Sequence, residues 1–104
     1  MGGREQKSVA WTPHARDCLD SILEHIAGDS PAAAAEVLEV VIAAAESLAV
    51  FSGRGRVVPE TRSRSIREIF VYRYRLLYRT SAEQVEVLAV LHGAMDYERW
   101  LKDD

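Results

Sequence analysis

Hydrophobic positions along the chain first alternate briefly, then recur every three to four residues, and finally return to short apolar runs. Ser8 to Trp11 is a β-prone stretch that stops at Thr12-Pro13, which predicts a strand over about Lys7 to Trp11. Thr12-Pro13 is a helix start: a hydroxyl that can cap free backbone N–H groups, followed by a proline whose missing N–H costs nothing at the first helical position. Leu19, Ile22, Leu23 and Ile26 then recur at helical spacing, and Gly28 closes that helix. Ser30-Pro31 repeats the start signal. A second helix is predicted to about Phe51, with Val37, Leu38, Val41, Ile42, Ala45 and Leu48 as its apolar stripe. So short a break makes the two helices antiparallel neighbours, a helical hairpin.

Ser52 to Ser65 holds two glycines, a proline and four arginines without a sustained period, and reads as a loop. Strand-like runs follow at Ile66–Val71, Arg73–Arg79 and Val85–His92. The last two are separated only by Thr80 to Gln84, so they form a β-hairpin, while the first two are nearly contiguous and either turn near Tyr72-Arg73 or form one long bent strand. Met95 to Leu101 suggests a closing helical turn. The order is β-α-α-β-β-β, an α+β domain with one antiparallel sheet and the helical hairpin packed on one face.

A length of 104 residues fits one domain spanning 1–104, with 1–6 and 102–104 expected to be flexible. No apolar run reaches the ~18–20 residues of a membrane span. The start MGGREQK lacks the apolar core of a signal peptide, and Cys18 is the single cysteine, so a cytoplasmic protein without an internal disulfide is expected. The net charge of −3 conceals segregation: residues 54–80 carry eight arginines against Glu60 and Glu68, between two acidic ends. A basic middle can steer an anionic partner, or be a sheet face neutralised by its neighbours.

Little else promises chemistry. His14, Cys18 and His25 share one side of the first helix, but a rise of ~1.5 Å per residue separates the two histidines by ~16 Å, so no metal site is expected. Gly53-Arg54-Gly55 neither follows a strand nor opens a helix, which excludes a phosphate loop. No cofactor is expected. What remains is the stretch YRYRLLYR at 72–79. Alternation puts Tyr74, Leu76 and Tyr78 on one sheet face, as core beneath the hairpin. Arg73, Arg75, Leu77 and Arg79 fall on the other, predicted to be an open, positively charged surface for phosphate or carboxylate.

The run WTPHARDCLDSILEHIAGDSPAAAAEV, then IREIFVYRYRLLYR, then VEVLAVLHGAMD, resembles the RelE/ParE superfamily of bacterial toxins over about residues 8–101. The family fold is the arrangement derived above. The resemblance implies a toxin with a cognate antitoxin, ParD-like with a ribbon-helix-helix or similar DNA-binding half, whose tail folds on binding; DNA is contacted only through that antitoxin. RelE-like members cut mRNA in the ribosome using sheet-face arginines and lysines with an acid or base near the C-terminus. ParE-like members poison DNA gyrase. Arg75 matches the nucleases' sheet arginine and His92 could act as a lone base, but the preceding strand offers Arg67 and Glu68 where lysines belong. The hairpin and the Val-Leu-His-Gly ending favour the ParE-like branch: a gyrase inhibitor acting by binding. The mRNA nuclease is the alternative, and a non-toxic scaffold for antitoxin binding a second one. Arg67, Arg73, Arg75, Arg79, His92 and Trp100 are the candidate contacts with antitoxin or target, and Arg75→Ala is expected to weaken binding with the fold intact.

Overall fold

The computed structural model describes residues 6–58, 61 and 63–103, with the backbone alone for 93–95 and 103. Of the ends expected to be flexible, 1–5 and 104 lie outside the described residues, as do Glu60 and Arg62 of the basic segment. Strand β1 (Ser8–Trp11) leads into helices α1 (Pro13–Ala27) and α2 (Pro31–Ser47). Strands β2 (Arg56–Val57), β3 (Ile66–Val71), β4 (Tyr74–Thr80) and β5 (Gln84–His92) follow, and helix α3 (Gly93–Asp103) closes the order.

Both helix starts form as their sequences dictate. Thr12 Oγ1 accepts from the Ala15 N–H at 3.0 Å, and Ser30 Oγ accepts from the Ala33 N–H at 3.1 Å. Helix α2 stops about a turn before Phe51: Leu48 and Ala49 bond three residues back, to Ala45 and Glu46, which tightens the helix shut. The Lys7 N–H then donates to the Ala49 carbonyl, tying the exit of the hairpin to the approach of β1.

The sheet order is β1-β5-β4-β3-β2. It is antiparallel from β2 to β5, whereas β1 joins β5 in parallel, Ser8 opposite Gln84 through Trp11 opposite Val87. The sheet is therefore mixed, where a wholly antiparallel one was expected. Strand β2 is also new, two residues laid along Glu68 and Arg67. Between β4 and β5 the register slips: Leu77 faces Ala89 but Tyr78 faces Val87, so Leu88 is an extra residue in β5. A bulge leaves a carbonyl without its ladder partner, and here the Thr12 hydroxyl donates to the Leu88 carbonyl at 3.3 Å. The residue that starts α1 thus also seals the bulge.

Two apolar layers result. On the hairpin face, Ile69, Val71, Leu76, Tyr78, Val85, Val87 and Val90 pack against Ala15, Leu19, Val41, Ala45 and Leu48. Leu38 and Ile42, placed by periodicity in the core stripe of α2, lie on its exposed flank. The opposite face is not open. Val58, Ile66, Leu77, Ala89 and Leu91 are buried beneath Tyr97, with Trp100 and Leu101 beside them. Each such aliphatic side chain contributes about 1.5–3 kcal/mol on full burial. That gain sustains α3 as a full helix of 11 residues, not a closing turn. Its first turn is held by Asp96, whose Oδ2 accepts from the His92 N–H at 3.3 Å.

Candidate functional site

Strand β4 alternates as its sequence requires, so Tyr74, Leu76 and Tyr78 meet the hairpin. Arg75 points to the α3 side, where Glu68 of β3 is buried at 1% exposure. Arg75 Nε donates to Glu68 Oε1 at 2.8 Å, with Nη2 on the same oxygen. Arg56 Nε of β2 donates to Glu68 Oε2 at 2.5 Å. A carboxylate in so dry a place is tolerable only if paired and fully hydrogen-bonded, and two guanidiniums meet both needs. The Tyr97 ring lies 4.0 Å from the Arg75 guanidinium carbon and covers it from the other side. The Arg75 side chain is left 18% exposed.

The expected open cationic face therefore does not form around Arg75. Its charge is neutralised within the sheet, and α3 closes over it because the same face carries Leu77, Ala89 and Leu91. Arg79 is exposed and reaches Glu86 at 3.6 Å, a surface pair of little energetic weight. Arg67 lies on the hairpin side and donates to the carbonyls of Gly55, at 2.6 Å, and Gly53, at 3.3 Å, so it pins the segment before β2. Tyr78 pins the same segment: its hydroxyl donates to the Ser52 carbonyl at 2.7 Å and accepts from the Gly55 N–H at 3.0 Å. Burial pushes the Tyr78 phenol above its ordinary range, an effect partly offset by the Gly55 N–H. A Cβ on Gly55 would sit 2.6 Å from the Glu68 carbonyl oxygen, so only glycine fits there.

Arg73 is exposed in the two-residue turn between β3 and β4. His92 is exposed at the end of β5, opposite Tyr74, and the two rings lie 5.2 Å apart. Register thus separates the two catalytic candidates. His92 stands with Tyr74, while Arg75 pairs opposite Leu91 and points away under α3. Trp100 is half-buried and stacks on Tyr97 at 6.5 Å between centroids. It also borders a cleft of about 220 Å3 that His14, Cys18, Asp96 and Arg99 line. Cys18 Sγ lies 3.5 Å from His14 Nε2, and no group of three or more potential ligands forms among the described residues. Burial, with Asp96 and Asp17 adding to it, pushes the Cys18 thiol up and keeps it protonated.

Three residues of this site were not singled out from sequence: Glu68 as an ion-pair centre, Arg56 as its second partner, and Tyr97 as its cover. The available signal was Leu77, an apolar residue in the arginine register that required a covering element. Tyr97, Trp100 and Leu101 supply that element at helical spacing.

Similarity to known proteins agrees with this architecture. Residues 9–97 match the family described as "ParE toxin of type II toxin-antitoxin system, parDE". A relative from Sinorhizobium fredii (strain NBRC 101917 / NGR234), named "Putative toxin Y4kP", is 34% identical over 97 residues, covering 91% of this chain and 94% of its own. Among solved structures, a chain of the chromosomal ParDE toxin–antitoxin system from P. aeruginosa superposes with a TM-score of 0.71 at 18% identity, over 86% of this chain and 98% of that one. A chain of the RelBE2 toxin–antitoxin complex from Mycobacterium tuberculosis gives 0.58 at 26% identity, over 88% and 97%. The chain belongs to the ParE family of type II toxin–antitoxin toxins.

Proposed function

We propose that this toxin acts by binding DNA gyrase in the cytoplasm and arresting it, with no hydrolytic chemistry of its own. The observation that carries the reading is the divergence of Arg75 and His92 to opposite faces of the sheet. A general base and a phosphate-stabilising cation must converge within hydrogen-bond reach of one reacting group. Here the cation is neutralised by Glu68 and roofed by Tyr97, and the imidazole lies across the sheet. Arg73, Arg79 and His92 are exposed and available to a partner, whereas Arg67 and Arg75 hold the fold. Trp100 can reach a partner from the rim of the cleft.

The related structures come from ParDE and RelBE2 systems, which supports a cognate antitoxin for this chain and a hetero-oligomer with it. A ParD-like antitoxin with a ribbon-helix-helix half would carry any contact with DNA. The test is a supercoiling assay with purified gyrase and trapping of cleaved DNA. Loss of supercoiling with accumulated cleavage supports the reading. Unimpaired gyrase together with codon-phased mRNA cuts on translating ribosomes would overturn it in favour of the RelE-like activity.

A further inference from the structure

Among the described residues, Tyr72 is the one non-glycine residue with positive φ, at 56°. Two-residue loops between antiparallel strands favour asparagine, aspartate or glycine where φ is positive. This loop places a bulky aromatic there, in a conformation L-residues avoid, and leaves it 57% exposed. Backbone strain persists where the surrounding structure imposes it, and such sites cluster at functional positions. Beside Tyr72 stands Arg73, exposed and absent from the three ion pairs found among the described residues. Together with Tyr74 and with Val37 of α2, these residues line an open groove of about 490 Å3. Tyr74 in turn lies against the His92 ring, with centroids 5.2 Å apart.

We infer that the Tyr72-Arg73 tip and the Val37 groove are the surface with which the toxin grips its target, and that the occupant is an acidic segment of a protein with an apolar side chain at its centre. The inference rests on the toxin reading above and names the contact surface that reading leaves open. Tyrosine and arginine are the residue types that dominate binding energy in protein interfaces, most of all when clustered around an apolar pocket. Charge complementarity selects the partner: the groove offers one unpaired guanidinium flanked by two tyrosines. Nucleic acid needs several phosphate contacts at once, whereas Arg75 is engaged by Glu68 on the α3 side and Arg79 lies at the far end of β4 from the tip. Tyr72 supplies rigid amphipathic area, and Arg73 supplies the charge that fixes the register.

The test compares Tyr72→Asn, Arg73→Glu and Arg73→Lys with the wild-type chain. Asparagine tolerates positive φ, so Tyr72→Asn removes the ring and keeps the turn. Thermal unfolding checks the fold; growth arrest on induction, supercoiling inhibition and rescue by co-expressed antitoxin check the function. Expected are unfolding temperatures close to wild type and a loss of potency of about tenfold or more for Tyr72→Asn and Arg73→Glu, with Arg73→Lys intermediate. Folded variants with full potency would overturn the inference. So would full potency with lost antitoxin rescue, which would make the tip an antitoxin contact. Binding of a labelled single-stranded RNA oligonucleotide that Arg73→Glu abolishes would overturn the choice of a protein partner. If wild-type gyrase is untouched while growth still stops, the gyrase reading fails alone, and the growth-arrest comparison still decides for or against the tip.

Discussion

Replacing Glu68 with alanine removes a carboxylate whose side chain is fully buried between Arg56 and Arg75. The two guanidiniums then differ in fate. Arg56 is 63% exposed and rehydrates, so its share is worth about 0–1 kcal/mol. Arg75 is 18% exposed, lies under Tyr97 and cannot follow, which leaves an uncompensated charge in the sheet. Breaking a buried pair from one side costs about 3–5 kcal/mol, a large part of the ~5–15 kcal/mol that holds a domain together. At about 4–8 °C per kcal/mol for a domain near this size, the melting temperature should fall by at least about 12 °C. The assay is urea unfolding followed by far-UV circular dichroism for wild type, Glu68→Ala, Arg75→Met and the double variant. Removing both charges should recover much of the loss, since apolar replacements of buried pairs are often neutral, with a coupling toward the upper end of ~0.5–3 kcal/mol. A Glu68→Ala protein within about 1 kcal/mol of wild type, or additive losses in the double variant, would refute the burial argument. The same reasoning reverses the expectation that Arg75→Ala leaves the fold intact: it strands Glu68 with Arg56 alone and should destabilise.

Thr12→Val keeps the side chain's volume but withdraws the cap from Ala15 and the donor from the Leu88 carbonyl; a loss of about 1–3 kcal/mol by denaturant titration is expected. Gly55→Ala forces a Cβ against the Glu68 carbonyl and the Tyr78 hydroxyl, and should lower stability by about 1–3 kcal/mol in a thermal melt. Tyr78 and Cys18 both titrate higher in the folded chain than their ordinary 10.0 and 9.0. In each, the unfolded chain loses its proton first, so the associated stability is complete below the ordinary value and disappears as pH rises through the folded one. The urea midpoint should therefore decline above about pH 9. Tyr78→Phe should start lower by about 1–3 kcal/mol, for two lost hydrogen bonds, and decline less steeply. A midpoint that rises between pH 9 and 11 would contradict the burial of these groups.

The local rules were legible in the sequence wherever a signal lay within a few residues. Thr12-Pro13 and Ser30-Pro31 started helices, Gly28 ended one, and the turn at Tyr72-Arg73 fell where the strand pattern broke. The facing of Tyr74, Leu76 and Tyr78 followed from alternation alone. Non-local pairing was not legible. Nothing near Ser8 announces Gln84 as its parallel neighbour, and two residues at Arg56–Val57 are too few to show any period. The bulge at Leu88 was hidden for a related reason: an almost continuous apolar run carries no mark of which residue is extra. The site failed to show on the same account. Alternation places Arg75 on the correct face, but whether that face is open depends on α3, whose sequence by itself suggests only a closing turn.

The position of β5 in the sheet has a consequence for how the protein is made. It lies between β1 and β4, and the Thr12 contact with Leu88 spans 76 positions. Contacts of such long range close late, because the intervening chain must first be ordered. On the ribosome, the helical hairpin and the β3–β4 pair emerge before the strand that joins them to β1. Until residues 84–92 arrive, only β3 and β4 can cover the hairpin's apolar face, and the shares of Val85, Val87 and Val90 are missing. Chains stopped before residue 84 should accordingly be cut rapidly by protease and leave growth unaffected. On the proposed reading, any toxicity is acquired late in synthesis, so an unfinished copy would present the cell with a folding problem and no poison.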